Sequence, residues 1–206
     1  MVRDDITGLI LAGGRGSRMG GTDKGLQAFQ GMPMVQHTLQ RLAPQTGSML
    51  INANRNLDRY RAFGVPVIPD AIPDFAGPLA GMLAGLAQCQ TRWIVTAPCD
   101  TPFLPTDLVD RLAHAIEAEQ AEIAIPVTLD ADGRRWLQPV FCMMPVTAAA
   151  SLRAYVDGGQ RKIETWVTSQ RVAQVVFEDA AAFANINTLD ELHLHETADR
   201  TGQTTG

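Results

Sequence analysis

Short apolar runs alternate with segments of helical periodicity along most of this 206-residue chain. The runs have the length of buried strands, and the segments between them place apolar side chains on one helical face. Consecutive parallel strands need a crossover over one face of the sheet, and a helix usually provides it. The alternation therefore predicts an α/β domain in three layers, with a mostly parallel sheet and helices on both faces.

The element boundaries follow from where each pattern starts and stops. Strands are expected at residues 6–12, 48–53, 65–69, 93–97, 123–127, 138–143 and 172–177. Helices are expected at residues 33–43, 57–63, 78–88, 105–119, 146–156, 162–169 and 189–195. The turn signal Asp-Ala-Asp-Gly precedes the run at 138–143. We expect one domain over residues 1–195 and a disordered, polar tail over residues 196–206.

The composition narrows the class of protein. The apolar fraction is 46%, the charged fraction is 19% and the net charge is −5, which is unlike a general nucleic-acid binder with a basic face. The chain carries three isolated cysteines, which argues against a disulfide framework or a zinc site. No apolar stretch has the length of a membrane span, and the N-terminus does not resemble a secretory signal. We expect a cytoplasmic protein that binds neither nucleic acid nor membrane.

A glycine-rich loop with cationic side chains follows the first expected strand. Its glycines are Gly13, Gly14, Gly16, Gly20 and Gly21, and its cations are Arg15, Arg18 and Lys24. Glycines allow the backbone to approach a ligand and to point N–H groups at an anion. The cations add positive charge within the same loop, so the combination suits a triphosphate.

Two common phosphate-binding motifs do not fit this loop. The dinucleotide fingerprint needs a glycine where Met19 stands, and the looser spacing that ends at Gly20 leaves no uninterrupted helix after it. The NTPase loop needs lysine and then serine or threonine after its last glycine, where this chain has Thr22 and Asp23. Nucleotidyl transfer is the class that remains.

Ligands of a parallel sheet bind beyond the carboxyl ends of the strands. The candidate positions are therefore 13–24, 52–55, 70 and 99–101. Asp100 follows an apolar strand and lies between Pro98 and Pro102, where a carboxylate can hold Mg²⁺ together with substrate phosphates. A turn or cap aspartate is the alternative for this residue alone, and the triphosphate-type loop nearby favours the metal role.

Five segments together resemble the molybdenum cofactor guanylyltransferases. They are LAGGRGSRMGGTDKG at 11–25, INANR at 51–55, GPLAG at 77–81, PCDTPF at 98–103 and FANINTLDEL at 183–192. The first segment belongs to a wider nucleotidyltransferase superfamily, whereas GGTDK, GPLAG and PCDTPF are more specific. The similarity runs from residue 6 to about 194, and Leu189 stands where the family usually has proline.

The resemblance implies a Rossmann-like nucleotidyltransferase fold of the glycosyltransferase-A type and a reaction of two substrates. The terminal phosphate of molybdopterin attacks the α-phosphorus of GTP, the guanine dinucleotide of the cofactor forms and pyrophosphate leaves. Mg²⁺, or Mn²⁺ in its place, is the implied cofactor, and Asp100 is its implied ligand. Transient contact with cofactor-insertion proteins or molybdoenzymes is expected from that metabolic role.

The resemblance also implies roles for single residues. The nucleotide-binding set is Leu11, Ala12, Gly13, Gly14, Lys24, Asn52, Asp70 and Asp100. Arg18 and Lys24 form the catalytic set together with Asp100, and the two cations offset charge as pyrophosphate departs. Asn52 and Asp70 would read guanine or ribose, and the Asp70 carboxylate is a reasonable acceptor for N1 and N2 of guanine.

Two further groups keep open alternatives. Asn185 and Asn187 would complete a metal or phosphate site, or residue 187 would simply cap the following helix. Gln138 resembles a family position near the pterin, and Arg161 and Lys162 would meet the acceptor phosphate. A solvated helix start explains the last two equally well.

Other activities make different demands on these residues. Cytidine transfer to the same cofactor is the nearest alternative, and those enzymes tend to carry alanine at the position of Gly13, where a methyl group would crowd a purine. A sugar-phosphate nucleotidyltransferase is disfavoured by the short chain. A non-catalytic nucleotide-binding chaperone of molybdoenzymes has no use for Arg18, Lys24 and Asp100 together, so GTP transfer is the favoured interpretation.

Overall fold

The computed structural model describes residues 1–13, 23–70, 72 and 77–185. The strands in this part are β1 Ile6–Leu11, β2 Ala28–Phe29, β3 Met32–Pro33, β4 Ser48–Asn52, β5 Val67–Ile68, β6 Trp93–Pro98, β7 Ile123–Leu129, β8 Arg135–Leu137, β9 Met143–Pro145 and β10 Val172–Phe177. The α-helices are α1 Met34–Leu42, α2 Leu57–Arg61, α3 Pro78–Gln88, α4 Leu108–Glu119, α5 Ala148–Asp157 and α6 Ile163–Thr168.

The main sheet is mostly parallel and has the strand order β10-β7-β9-β6-β1-β4-β5, with β8 pairing with β7. β1 is parallel to β4 and β6, β4 is parallel to β5, and β7 is parallel to β10. β9 is antiparallel to both β6 and β7, so these two strands point the same way. The parallel strands therefore end at one common edge of the sheet.

Helices cover both faces of the sheet. Ile10 of β1 belongs to the buried cluster that includes Leu112 of α4. Its neighbour Leu9 belongs to the cluster on the other face, with Met82 of α3 and Leu152 of α5. Successive side chains of a strand point to opposite faces, so this division confirms the predicted three-layer α/β fold.

One expected strand is wrong. The run at 138–143 is a turn followed by the start of β9, and the Phe141 N–H donates to the Gln138 carbonyl at 3.0 Å within that turn. Pro139 has no N–H for a ladder hydrogen bond, which disfavours a continuous strand. Phe141 and Cys142 are buried, so the run is apolar because it lies in the core.

The other expected elements of the described part are present, most with shifted ends, whereas β2, β3 and β8 were not expected. α3 has the expected bounds, whereas the helix expected at 105–119 starts at Leu108. A turn precedes it, in which the Leu108 N–H donates to the Pro105 carbonyl at 3.4 Å. The helix expected at 189–195 and the tail at 196–206 lie outside the described residues.

Gly85 allows α3 to lie close to the sheet. A Cβ atom built on Gly85 would lie 2.3 Å from Leu9 Cδ2 and 3.2 Å from Ile94 Cδ1. Both neighbours are fully buried, so they have little room to move. The close approach of α3 matters for the site described below, because the same helix carries Gly81.

Gly85→Ala is expected to destabilise the protein by about 1 kcal/mol, since an overpacking cost of roughly 1–3 kcal/mol exceeds a gain of about 1 kcal/mol in helix propensity. Urea unfolding would measure this as a lower midpoint with an unchanged slope. Gly158→Ala is the control, because Gly158 has φ −69° and an added Cβ would lie 3.4 Å from the carbonyl oxygens of Ala154 and Tyr155. Equal stability of the two variants would contradict the tight packing inferred at α3.

Candidate active site

The carboxyl edge of the sheet brings together segments that are far apart in the sequence. Asn52 at the end of β4 is in register with Leu11 of β1 and Ile68 of β5. Leu11 is also in register with Pro98, the last residue of β6. The residues that follow these strands therefore meet at one edge, where parallel sheets bind their ligands.

A hydrogen-bonded group, the Asp70 network, consists of Asn52, Asn54 and Asp70. Asn52 Nδ2 donates to Asp70 Oδ1 at 2.8 Å, and Asn54 Nδ2 donates to Asp70 Oδ2 at 2.7 Å. The Asp70 backbone N–H donates to Asn54 Oδ1 at 2.8 Å. Because a carboxylate oxygen accepts more than one hydrogen bond, the carboxylate is oriented and still able to accept from a ligand.

Asn54 connects this network to the loop after β1, since its Nδ2 also donates to the Gly13 carbonyl at 3.2 Å. The sequence interpretation placed residues 52–55 among the candidates without a role for Asn54. Its spacing of two residues from Asn52 was the available signal, but its partners depend on the path of the chain after β4.

Two glycines leave space for the buried Asn52 side chain. A Cβ atom on Gly13 would lie 2.8 Å from Asn52 Oδ1 and 2.9 Å from Asn54 Nδ2. A Cβ atom on Gly81 of α3 would lie 2.4 Å from Asn52 Oδ1 and 2.8 Å from Leu11 Cδ2. The LAGG and GPLAG segments therefore meet around one amide side chain.

Lys24 and Asp100 form an ion pair at the end of β6. Lys24 Nζ lies 3.4 Å from Asp100 Oδ2, and the Asp100 side chain is 11% exposed. Burial raises the pKa of Asp100 above its ordinary value, and the Lys24 ammonium group offsets part of that increase. The ionised carboxylate is therefore held at an electrostatic cost, which a bound cation would relieve.

Asp23 is a second buried carboxylate, next to Lys24, that the sequence interpretation did not single out. Asp23 Oδ1 accepts from the Tyr60 hydroxyl at 2.5 Å, and Oδ2 accepts from Asn56 Nδ2 at 2.9 Å. Arg55 Nε lies 3.8 Å from the same Oδ2. Burial raises the pKa of Tyr60, with the charge of Asp23 adding to the effect, so the tyrosine remains a donor.

Cys99 lies beside Asp100 and is buried in the core. Burial raises the pKa of its thiol well above the ordinary value, and the charges of Asp100 and Asp23 raise it further. The thiolate is the reactive form of cysteine, so this environment disfavours a nucleophilic role.

The residues assigned to the acceptor side lie just after β8 and just before α6. Gln138 follows β8 and donates from Nε2 to Thr128 Oγ1 at 3.1 Å. Arg161 Nη1 donates to two backbone carbonyl groups at 3.1 and 2.8 Å, just before α6. Lys162 and Asn185 are exposed.

Three residues of the predicted site, Gly14, Arg18 and Asn187, lie outside the described residues. Within residues 1–13, 23–70, 72 and 77–185, no group of three or more His, Cys, Asp or Glu side chains is placed to hold a metal ion. In the same part of the chain, every helix is too short or too polar to cross a membrane.

Comparison with known proteins gives the class of this fold and site. A model of the MobA-like NTP transferase domain family matches residues 8–175. The structure of molybdopterin-guanine dinucleotide biosynthesis protein A from Archaeoglobus fulgidus superposes with a TM-score of 0.75 at 21% identity, covering 95% of this chain and 99% of that chain. At this identity the superposition supports the nucleotidyltransferase fold alone.

Closer relatives narrow the class. The molybdenum cofactor guanylyltransferase of Cupriavidus metallidurans is 74% identical over 200 residues, which cover 97% of this chain and 98% of that protein. The molybdenum cofactor guanylyltransferase of Ralstonia pickettii is 63% identical over 193 residues, covering 92% and 95% of the two chains. The chain belongs to the molybdenum cofactor guanylyltransferase family and is an enzyme of the nucleotidyltransferase class.

Proposed function

We propose that this protein transfers GMP from GTP to the terminal phosphate of Mo-molybdopterin in the cytoplasm, through one domain at residues 1–195. A phosphate oxygen of the acceptor forms a bond to the α-phosphorus of GTP. The bond between that phosphorus and the oxygen that bridges it to the β-phosphorus breaks, and pyrophosphate leaves with the electron pair. The observation that carries the proposal is the Asp70 network and the Lys24–Asp100 pair on one sheet edge. The near full-length similarity to guanylyltransferases supports the same reaction.

The Asp70 network suits guanine. Guanine presents N1–H and the N2 amino group side by side, and an oriented carboxylate accepts from both. Cytosine presents an acceptor, N3, beside its amino group, so a lone pair would face a carboxylate oxygen. In this arrangement Asn52 and Asn54 hold Asp70, and Leu11, Ala12, Gly13 and Gly14 frame the nucleotide.

Lys24 and Arg18 suit the negative charge that develops on the departing pyrophosphate. Phosphoryl-type transfer depends on positioning and on stabilising charge at the phosphates, with little covalent help from protein groups. Lys24 is held beside Asp100 at 3.4 Å, and we assign to it and to Arg18 the charge that develops as pyrophosphate departs.

Asp100 fits a resident Mg²⁺. Mg²⁺ is usually bound by one or two carboxylates together with substrate phosphates and water, and Asp100 is a carboxylate whose pKa is raised by burial, an effect that a bound cation would oppose. Asn185 and Asn187 are proposed as further oxygen ligands, and Mn²⁺ accepts the same ligand type. When bound, the ion neutralises phosphate charge.

The acceptor side is assigned from charge and resemblance. Arg161 and Lys162 are exposed cations before α6, and we place the acceptor phosphate against them and the pterin near Gln138. Transient contact with cofactor-insertion proteins or molybdoenzymes would then deliver the product.

Pyrophosphate release from GTP, CTP, ATP and UTP tests the proposal, measured with Mg²⁺ and with or without molybdopterin. We expect release with GTP that depends on the acceptor. Equal rates with CTP would identify a cytidylyltransferase. Tight nucleotide binding without release in the presence of acceptor would identify the non-catalytic alternative.

Asp70→Asn is expected to raise the KM for GTP about thirtyfold, because a carboxamide replaces one acceptor with a donor and removes a charge-assisted hydrogen bond of about 2 kcal/mol. Steady-state kinetics with GTP and CTP would measure the change, and the preference for GTP should fall with it. Asp132→Asn is the control, since Asp132 is an exposed carboxylate on the turn between β7 and β8. An unchanged KM would remove Asp70 from base recognition.

A further inference from the structure

The buried Asp23 carboxylate has no role in the reaction described above. Asp23 is only 8% exposed, and a buried charge destabilises a protein unless it is paired and hydrogen-bonded. Both of its oxygens meet donors from a single short segment, residues 55–60: the Tyr60 hydroxyl at Oδ1, and Asn56 and Arg55 at Oδ2. These partners therefore come from α2 and the two residues that precede it.

These contacts hold the turn that carries Lys24. A single turn of 3-10 helix, Lys24–Leu26, follows Asp23 directly, and the Leu26 N–H donates to the Asp23 carbonyl at 3.1 Å. A Cβ atom on Gly25 would lie 2.6 Å from the Tyr60 hydroxyl oxygen. The turn thus lies directly against Tyr60, and it is fixed through both the side chain and the backbone of Asp23.

The segment that holds Asp23 also holds the Asp70 network. Asn54 contacts Asp70 and Gly13, while the next two residues, Arg55 and Asn56, face Asp23. Asn56 adopts φ 52° and ψ 33°, a left-handed conformation that asparagine tolerates better than most residues. The chain therefore turns at Asn56, directly before α2 and within the group of residues that contacts Asp23.

We propose that Asp23 is a positioning residue of the transfer reaction: held by Tyr60 and Asn56, it fixes Lys24 beside Asp100 and couples the Lys24 turn to the Asp70 network. This inference rests on the proposed GTP-dependent transfer. Asp23 acts through Lys24, so its effect is on turnover, and it depends on the presence of the lysine ammonium group.

A double-mutant cycle tests the inference with pyrophosphate release from GTP as the assay. Asp23→Asn keeps the shape of the side chain but replaces one acceptor oxygen with an amide donor that faces Asn56 or Tyr60. We expect kcat to fall about tenfold, while the KM for GTP changes less than about twofold. In a Lys24→Ala background, the same substitution is expected to change kcat less than about twofold. Tyr60→Phe removes one donor at constant packing and is expected to lower kcat about threefold.

The controls separate an effect on the position of Lys24 from a loss of folded protein and from an effect on the reaction that does not depend on Lys24. Asp58→Asn is the matched control on α2, because the Asp58 side chain is 96% exposed, and its kcat should equal that of the wild type. A tenfold loss from Asp23→Asn that persists in the Lys24→Ala background, or a loss that matches a fall in folded protein by circular dichroism, would overturn the inference. If Asp23→Asn does not fold, a roughly threefold loss from Tyr60→Phe that persists in the Lys24→Ala background would overturn the inference.

The outcome is distinguishable from failure of the proposed function. Wild-type protein that releases no pyrophosphate from GTP with molybdopterin would refute the proposed transfer. Wild-type turnover with an unchanged Asp23→Asn variant would refute only the positioning role.

Discussion

Asp100→Asn is expected to lower kcat with GTP about a thousandfold. The substitution keeps the shape of the side chain but removes the negative charge that we assign to the Mg²⁺ site, and loss of one preorganised charge in such a site has effects of roughly 10²–10³-fold or more. Pyrophosphate release at saturating GTP and Mg²⁺ would measure the loss. Near-normal turnover would remove Asp100 from the metal site.

The same variant is expected to be at least as stable as the wild type in metal-free buffer at neutral pH. The pKa of Asp100 is raised in the folded state, mainly by burial, so the folded protein binds this proton more tightly than the unfolded chain does. Stability therefore falls as pH rises from the ordinary carboxyl pKa of 3.8 through the raised value. Removing the charge relieves that penalty, and the difference between variant and wild type should vanish at acidic pH.

Thermal unfolding with EDTA across this pH range would test whether Asp100→Asn is more or less stable than the wild type. Asp157→Asn is the control, because the Asp157 side chain is 57% exposed and pairs with Arg153 on α5. A destabilised Asp100→Asn protein at neutral pH would indicate that the pair with Lys24 outweighs the cost of burial.

Gly13→Ala is expected to raise the KM for GTP about a hundredfold. The backbone of Gly13 lies outside the left-handed region, so alanine meets no conformational barrier there. The methyl group would instead lie within 3 Å of the amide groups of Asn52 and Asn54. Since Asn52 is 2% exposed, it has little room to withdraw, and Asp70 would lose the orientation that suits guanine.

Kinetics with GTP and CTP would measure the effect of Gly13→Ala, and the ratio of the two kcat/KM values should move toward CTP. Gly158→Ala serves as the control, because an added methyl group there meets ordinary contacts. A variant that keeps the wild-type KM and preference would show that the Asp70 network tolerates the methyl group.

The structure changes the physical reason why position 13 requires glycine rather than alanine. The sequence argument was that a methyl group would crowd the purine itself. In the structure the first atoms that an added Cβ would meet belong to Asn52 and Asn54. Selectivity for the base is therefore proposed to depend on the side chains that orient Asp70 as much as on space for the ring.

Several site positions were predictable because parallel strands end at one edge. Asn52 is the last residue of a strand and Asp70 and Asp100 each follow one, so the alternating pattern alone placed them at the same edge of the sheet. Asp23 and Tyr60 were not predictable in the same way. They are separated by 37 positions, and their contact depends on how the chain turns at Asn56, which no periodicity encodes.

The turn at 138–141 is a further case in which packing decided the local structure. The apolar run there resembles a strand. In the structure, however, Phe141 is buried and belongs to a turn that begins at Gln138. Apolar character reports burial, and burial is compatible with a strand or with a turn packed against the core.

By itself, the sequence determined the three-layer fold and the sheet edge at which the candidate residues Asn52, Asp70 and Asp100 lie. Those features depend on the period of apolar residues and on strand direction, which are local properties. The tertiary structure decided which side chains touch: Asn54 with Asp70, Asp23 with Tyr60, and Lys24 with Asp100. Such contacts depend on loop paths over a close-packed core, and loop paths are set by all the elements packed around them.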